Sequence, residues 1–287
     1  MSDKTPKVSV LTPIYNTNPQ YLREMIESIL NQTFKDFEFL ILNDSPDNKE
    51  IENIVKEYAK KDKRVKYYKN EKNLGITPSR NKLLKMAKGE YIAVFDHDDI
   101  SLPERLEKQV KFLDENKHIG VVSSWVQIFG DSNNLSKSPE RDFKIRACLT
   151  ETSCVAHTAA MIRKSILIDN NIEYEESYTP CEDYKLWARL MEVTCFYNIQ
   201  EALVKYRCFK QNTSNRLKTN MSDVGKMIQW QIISKHPLLH QTYMKHFHRG
   251  TVFKLRLFGF VPFLKIRNNW VWLFECIPVL KIKWRKN

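Results

Sequence analysis

The chain has 287 residues, 42% of them hydrophobic and 28% charged, which is the composition of an ordinary globular protein with enough apolar material for a core. Its formal net charge is +12, but the residues from Gln241 onward contain ten Lys/Arg and one acid, so that segment carries +9 and the rest only about +3. Any anionic ligand of the first 240 residues must therefore be bound by individual residues, which excludes binding through the bulk field.

Three features of the sequence bear on the compartment. The N-terminus, MSDKTPKVSVLTP, is short and charged and leads directly into an apolar run, which is not the pattern of a signal peptide. No run of about 18 apolar residues is present, so no transmembrane helix is expected. The six cysteines form no CxxC pair and no regular framework, which favours a reducing compartment. We expect a cytoplasmic protein.

The first hundred residues alternate between strand-like and helical patterns. Strands are predicted at 8–14, 37–44, 64–70 and 90–96, and helices at about 19–32, 48–62 and 78–88. Thr77 and Pro78 are a suitable N-cap and first-turn pair for the third helix. This alternation predicts a mainly parallel sheet covered on both faces, and such sheets bind ligands beyond the carboxyl ends of their strands.

Polar residues follow the predicted strands at those carboxyl ends. The first strand closes with Thr12, Pro13, Tyr15 and Asn16, and the second closes with Asn43, Asp44 and Ser45. The loop NEKNLGITPSRN follows the third strand, and the fourth closes with Asp96, His97, Asp98 and Asp99. We therefore expect these residues to converge on one rim of the sheet.

The chain beyond the fourth strand is less regular. Ser101, with Glu104 three residues later, predicts a capping box for a helix over SLPERLEKQVKFLDEN. Mixed strands and short helices are expected from Gly120 to about Arg207, followed by a helical hairpin at about 223–248.

The C-terminal segment contains a two-copy repeat. LFGFVPFLKIR (257–267) and LFECIPVLKIK (273–283) share the pattern L-F-x-x-x-P-x-L-K-I-[K/R]. Aromatic and apolar patches that end in paired cations suit the headgroup region of an anionic membrane. The alternative is a segment that packs on the main domain with its lysines in water. We favour a helical, basic tail that holds the protein on the inner face of the cell membrane.

The acidic cluster at 96–99 suggests a cation. Neighbouring carboxylates repel each other unless a positive charge compensates them, and loop oxygens suit Mg²⁺ or Mn²⁺ with substrate phosphates completing the shell. The alternative is a solvated acidic loop that precedes a helix. The cluster by itself does not decide between the two.

Five sequence segments, taken in chain order, are more informative than the acidic cluster alone. VSVLTPIYN, ILNDSPDN, NLGITPSRN, GEYIAVFDHDD and YTPCEDYKLWARL make residues 6 to 215 resemble the family 2 glycosyltransferases. The resemblance implies the A-type glycosyltransferase fold (α/β, with a Rossmann-like, mixed but mainly parallel sheet flanked by helices). It also implies a nucleotide-sugar donor (a uridine diphosphate sugar), Mn²⁺ or Mg²⁺, and inversion at the anomeric carbon.

The resemblance also implies roles for single residues. Thr12, Pro13 and Tyr15 line the nucleoside, Asp44 accepts a hydrogen bond from uracil, Arg80 lies near the base or phosphates, Asp96 faces the ribose and donor sugar, and Asp98 holds the metal. Asp183 is the general base that deprotonates the acceptor hydroxyl. If a helix starts near Glu182, Asp183, Trp187 and Leu190 share one face of it. The remaining candidates, which have acceptor or secondary roles, are Glu182, His157, Trp187 and Asp99.

The expected organisation has three regions. Residues 1–100 are the nucleotide-sugar-binding half of the catalytic domain, 101–220 the acceptor-binding half, and 221–287 the C-terminal tail. The acceptor is a glycan or a lipid-linked glycan of bacterial polysaccharide or lipopolysaccharide type. Nucleic acid is not an expected partner, because no nucleic-acid module is present and the aromatic residues of the tail alternate with aliphatic ones.

One departure from the family keeps an alternative open. Relatives often place a histidine near the diphosphate where this chain has Phe209, which leaves Arg207, Lys210 or Asn212 as diphosphate contacts. The alternative is a non-catalytic, membrane-recruited module that binds a nucleotide sugar or a glycan. A nucleotidyltransferase is a weaker alternative, because no glycine-rich phosphate loop is present.

Overall fold

The computed structural model describes residues 5–209 and 218–247 and four short strands at 253–255, 264–267, 270–273 and 277–281. The chain divides into two compact units, residues 1–240 and residues 241–287. All predicted site residues belong to the first unit.

Strands and helices alternate through the first hundred residues, as the sequence predicts. The elements are β1 (Val8–Ile14), α1 (Pro19–Leu30), β2 (Phe37–Asn43), α2 (Lys49–Lys61), β3 (Val65–Lys69), α3 (Ile76–Met86) and β4 (Tyr91–Val94). Every residue of β1, β2 and β4 is buried, which explains why their sequences are mainly apolar.

The next hundred residues add shorter and longer strands. The elements are β5 (Ile100–Ser101), α4 (Arg105–Glu115), β6 (Ile119–Gly130), β7 (Asn134–Ser136), α5 (Asp142–Leu149), β8 (Met161–Arg163), α6 (Lys164–Asp169), α7 (Glu182–Leu190) and β9 (Cys195–Cys208). Short 3₁₀ turns lie at His157–Ala159 and Glu176–Tyr178.

These strands form one sheet in the order β3-β2-β1-β4-β8-β6-β9-β5, with β7 paired to β6. β1 is parallel to both β2 and β4, so that Val8 lies opposite Phe37 and Tyr91. β8 is antiparallel to β4 and β6, and β9 is parallel to β6. The sheet is therefore mixed, and the carboxyl ends of β1, β2 and β4 open at one edge.

Two predicted helix starts are wrong. α3 begins at Ile76 with Gly75 (φ 90°) as its cap, and Thr77 lies inside the helix with its hydroxyl 2.7 Å from that of Thr179. α4 begins at Arg105, because Ser101 belongs to β5 and its hydroxyl accepts a hydrogen bond from Gln32. In both cases the hydroxyl expected to cap the helix is used in a tertiary contact.

Two helices follow the first sheet, in the region where helices were predicted. α8 (Lys218–Lys235) and α9 (Pro237–Phe247) follow each other directly. α8 packs beside α7, where Lys185 Nζ donates to Gln231 Oε1 at 2.7 Å. Among the described residues, no helix combines the length and apolarity needed to cross a bilayer.

The second unit contains four described strands in one antiparallel sheet. They are β10 (Phe253–Leu255), β11 (Leu264–Arg267), β12 (Trp270–Leu273) and β13 (Ile277–Lys281). The described parts of the repeat are thus strands and not the helices expected for the tail. The remainder of both repeat copies lies outside the described residues.

Candidate active site

The end of β1 provides one exposed aromatic ring. Tyr15 is 52% exposed, whereas Thr12 and Pro13 are buried. The Thr12 hydroxyl donates to the carbonyl oxygen of Phe95 at 2.9 Å, so it fastens β1 to the end of β4. Of the three residues expected to line the nucleoside, only Tyr15 presents a side chain to solvent.

Asp44, just after β2, is a buried and fully oriented carboxylate. Its Oδ1 accepts hydrogen bonds from Asn70 Nδ2 at 2.7 Å and from the Leu74 amide at 2.9 Å, and its Oδ2 accepts one from the Gly75 amide at 2.9 Å. These three donors come from the end of β3 and the turn before α3. The carboxylate keeps unused acceptor capacity, which a ring N–H of a base could occupy.

Arg80, in the first half of α3, bridges two carboxylates from distant parts of the chain. Its Nη1 lies 2.5 Å from Glu182 Oε1 and its Nη2 lies 3.1 Å from Asp96 Oδ1. Burial lowers the pKa of Arg80, but the negative charges of Asp96 and Glu182 outweigh that effect and raise it. Arg80 therefore remains charged. It lies between the acidic loop and α7, and its expected position near the base or phosphates stays a prediction.

The acidic loop after β4 rests on a buried histidine and tyrosine. His157 Nδ1 lies 3.8 Å from Asp96 Oδ1, and His157 Nε2 is hydrogen-bonded to the Tyr174 hydroxyl at 2.8 Å. Burial raises the pKa of Asp96, but His157 and Arg80 outweigh it and hold that pKa below its usual value. Asp96 is therefore an ionised carboxylate with fixed neighbours.

The other two acids of the loop are less fully compensated. Burial and the charge of Asp96 raise the pKa of Asp98 by more than His97 and Arg207 lower it. Burial, and after it the charges of Asp98 and Asp96, raise the pKa of Asp99 well above its usual value. Among the described residues, no ion pair reaches Asp98, and Asp99 Oδ2 lacks a hydrogen-bond partner. A cation at this loop would relieve the repulsion.

The donor set fits a hard divalent cation only in part. No group of three or more His, Cys, Asp or Glu side chains within the described part of the chain is arranged to hold a metal ion. Asp98 is half-buried and offers carboxylate oxygens at the rim. Mg²⁺ and Mn²⁺ suit such a site, because Mg²⁺ is commonly bound by one or two carboxylates together with substrate phosphates and water.

Arg207, near the end of β9, fastens the acidic loop to α1. Its backbone N–H donates to Asp99 Oδ1 and its Nε to the Asp98 carbonyl oxygen, both at 2.8 Å. Its Nη2 lies 2.5 Å from Glu24 Oε2, and its guanidinium stacks 3.9 Å above the Tyr21 ring. These contacts explain how Asp99 orients the loop. They also place the Arg207 guanidinium between the acidic loop and α1, where the side chain is 11% exposed, and its expected contact with the diphosphate stays a prediction.

Phe209, two residues after Arg207, also packs against Tyr21 of α1. Its ring centroid lies 6.0 Å from that of Tyr21. The other two residues considered for the diphosphate, Lys210 and Asn212, lie outside the described residues.

The predicted start of α7 at Glu182 is confirmed, and it places Asp183 beside Arg80. Asp183 is half-buried, and its charge acts on Arg80 and Tyr174. Trp187, one turn later, is fully buried and packs 6.0 Å from the His157 ring. Asp99 is buried as well, and Glu182 and His157 are at most 9% exposed. Such buried side chains suit the secondary roles considered for these four residues, and the acceptor roles stay predictions.

Four residues of this arrangement were not identified from the sequence: Asn70, Tyr174, Tyr21 and Glu24. Asn70 lies in the loop singled out after the third strand, so its position next to Asp44 could have been anticipated. Tyr174 has no local signal, because Asn81 binds both its backbone N–H and its carbonyl group from α3, far away in sequence.

Comparison with known proteins identifies one family. The family model described as Glycosyl transferase family 2 matches residues 9–170. An uncharacterized glycosyltransferase of Methanocaldococcus jannaschii is 42% identical over 219 residues, which cover 74% of this chain and 75% of that protein. The O-antigen biosynthesis glycosyltransferase WbnJ of Escherichia coli is 31% identical over 214 residues, which cover 72% of this chain and 81% of WbnJ.

Solved structures give the same fold. S. aureus TarS in complex with UDP-GlcNAc has a TM-score of 0.65 at 22% identity, covering 84% of this chain and 74% of that one. The mannosyltransferase PcManGT from Pyrobaculum calidifontis in complex with GDP-Man and Mn²⁺ has a TM-score of 0.57 at 13% identity, covering 86% and 82%. The predicted A-type glycosyltransferase fold is confirmed for the first unit.

Proposed function

The chain belongs to glycosyltransferase family 2, a family whose members transfer sugars from activated donors, and we propose that it is an inverting, metal-assisted enzyme using a uridine diphosphate sugar. The observation that carries the proposal is the Arg80 bridge, which holds the acidic loop and the start of α7 together. In this arrangement Asp96 would face the donor, Asp98 would hold the metal and Asp183 would act as the base of a single site.

The uridine assignment is supported by the end of β2. Asp44 is an acceptor-only group held by three donors, and it would receive the N3–H of uracil. The exposed Tyr15 ring would stack on the base. TarS, which shares the fold, was solved with UDP-GlcNAc. The sugar transferred would be a hexose or an N-acetylhexosamine.

Asp98, with Asp96 beside it, would hold Mn²⁺ or Mg²⁺. The bound ion would supply positive charge at the diphosphate and stabilise it as a leaving group. PcManGT, of the same fold, was solved with Mn²⁺. The raised pKa of Asp98 supports the assignment, since a cation would favour its ionised form.

Asp183 would act as the general base. It would accept the proton of the acceptor hydroxyl while that oxygen attacks the anomeric carbon on the side opposite the departing diphosphate. Glu182 cannot share the task in this arrangement, because its carboxylate is paired with Arg80 and is buried. Arg80 would keep the Asp183 carboxylate oriented through Glu182.

The acceptor would be a hydroxyl of a glycan or of a lipid-linked glycan. The name of WbnJ assigns it to O-antigen biosynthesis, and the alignment covers 72% of this chain and 81% of WbnJ. The +9 segment from Gln241 onward would bring the enzyme to the anionic inner face of the cell membrane.

Calorimetry tests the donor assignment. UDP should bind more tightly with Mn²⁺ than with chelator, and more tightly than GDP, CDP or ADP. Equal binding of all four nucleotides would refute the uridine assignment. UDP binding without turnover of any UDP-sugar in the presence of acceptor glycans would favour a non-catalytic binding module.

A further inference from the structure

A group of exposed apolar side chains lies on the side of α8 away from the core. Large exposed apolar residues occur at nine described positions, and two of them, Tyr15 and Leu74, belong to the nucleotide site. Four of the other seven lie in or next to α8 and α9: Val193 (43%), Met227 (56%), Trp230 (47%) and Leu238 (74%). This concentration in one part of the molecule calls for a partner.

The geometry of α8 defines the face. Ile228 and Ile232, four residues apart, are buried, whereas Met227 and Trp230, three residues apart, lie on the opposite side of the helix. Val193 and Leu238 lie in the segments that adjoin α8: Glu192, the neighbour of Val193, is 2.8 Å from His236, and Leu238 is in α9. We call Met227 and Trp230 the α8 outer face.

The helix that carries this face is firmly attached to the site. Gln231 accepts from Lys185 of α7 at 2.7 Å and donates to the Tyr178 hydroxyl at 2.8 Å. Gln229 donates to the Glu151 carbonyl oxygen at 2.6 Å. Whatever binds the α8 outer face is therefore held at a fixed distance from Asp183, at the start of α7.

The composition of the face favours a lipid surface over a protein. Even with Val193 and Leu238 counted, four exposed side chains fall well short of the roughly 20–30 residues a side of a stable protein interface. A tryptophan and a methionine flanked by Lys226 and Lys235, which are both exposed, match the headgroup region of a bilayer. Lys226 is also paired with Asp223 at 3.2 Å. The exposed Lys226 and Lys235 beside the face would be attracted to an anionic bilayer and repelled by the same lysines of a second copy.

We propose that the α8 outer face docks on the headgroup region of an anionic bilayer, as an apolar anchor separate from the cationic segment after Gln241. This inference extends the proposed function to a second surface and does not depend on which donor is used.

Vesicle cosedimentation of the full chain tests the proposal. The variant Met227→Ser/Trp230→Ser is compared with the control Phe143→Ser/Ile168→Ser, which removes two equally exposed apolar side chains elsewhere. Vesicles contain equal parts of phosphatidylcholine and phosphatidylserine. In about 1 M salt, where the Debye length is about 3 Å, the contribution of the cationic segment is screened and the apolar anchor remains.

The α8 variant should bind these vesicles about tenfold more weakly than wild type in high salt, and the control should match wild type. A Trp230→Phe variant should bind normally, and the part of the tryptophan fluorescence that brominated lipids quench should be smaller than in wild type. Unchanged vesicle binding by the α8 variant would overturn the proposal. A wild-type dimer that becomes monomeric in the α8 variant, while lipid binding is unchanged, would overturn it as well. Release of nucleotide diphosphate in solution should be the same for wild type and the α8 variant, so failure of this proposal is distinguishable from failure of the proposed function.

Discussion

Arg80 joins Asp96 and Glu182, with nitrogen–oxygen distances of 3.1 and 2.5 Å. Asp96 follows β4, and Glu182 opens α7, so the two carboxylates belong to the donor and acceptor parts of the chain. The planar guanidinium reaches both acids at once through two different nitrogens. The ammonium group of lysine has a single nitrogen and cannot do so. One side chain therefore sets the position of Asp183 relative to the acidic loop.

Replacing Arg80 by lysine should lower the free energy of unfolding by about 2–3 kcal/mol, because at least one buried carboxylate loses its partner. It should also lower kcat more than it raises the KM for the donor, since Asp183 loses its orientation. Chemical denaturation and donor kinetics measure the two effects. Arg23→Lys is the matched control, because Arg23 pairs with Glu57 at a more exposed position. Equal effects of the two substitutions would contradict the positioning role.

Asp183→Asn should lower kcat by about 10²–10⁴-fold, the usual contribution of a general base, with little change in nucleotide affinity. The half-buried position of Asp183 permits this isosteric change without loss of the fold. Turnover with a defined acceptor measures the change in kcat, and calorimetry with UDP measures the nucleotide affinity. Asp223→Asn in α8 is a control that should behave as wild type. A fully active Asp183→Asn enzyme would remove the assigned base.

Asp44→Asn should weaken UDP binding by about tenfold or more, because one acceptor oxygen becomes an amide NH₂ that faces the backbone N–H of either Leu74 or Gly75. The loss should be smaller for nucleotides whose base does not offer the N3–H of uracil. Calorimetry with UDP and CDP measures the difference. Equal losses for both nucleotides would mean that Asp44 supports the loop and does not read the base.

The lowered pKa of Asp96 makes a prediction about pH. A carboxylate whose folded pKa lies below its unfolded value of about 3.9 stabilises the fold above that pH, and the stabilisation is lost as the pH falls through the folded pKa. Asp96→Asn should therefore be less stable than wild type at pH 7, and the difference should shrink below about pH 4. Urea denaturation with chelator present, from pH 7 to below about pH 4, measures this difference in the free energy of unfolding. Asp169→Asn, at an exposed position of α6, should follow wild type at every pH.

The positions of the donor carboxylates could be predicted from the sequence, because local patterns determine them. β1, β2 and β4 are buried on both faces, so each ends where its apolar run ends, and Asp44 and Asp96 lie at those ends. Parallel pairing of β1 with β2 and β4 then brings both to one edge. The start of α7 was likewise visible in the spacing of Asp183 and Leu190.

The contacts that complete the site could not be predicted, because they join segments far apart in sequence. Nothing near Arg80 indicates that Glu182 is its partner, and nothing near Arg207 indicates Glu24. Trp187 shares a helix face with Asp183, yet packing against His157 buries it. Ser101 has the spacing of a helix cap, but pairing of β5 with β9 takes it into the sheet.

The central claim is that the acidic loop and Asp183 form one metal-assisted transferase site. The most direct test is release of nucleotide diphosphate from a panel of sugar nucleotides, without acceptor, in Mn²⁺, Mg²⁺ or chelator, for wild type and Asp98→Ala. We predict slow release from one UDP-sugar that needs the metal and is lost in Asp98→Ala. Release that continues unchanged in chelator and in Asp98→Ala would contradict the account.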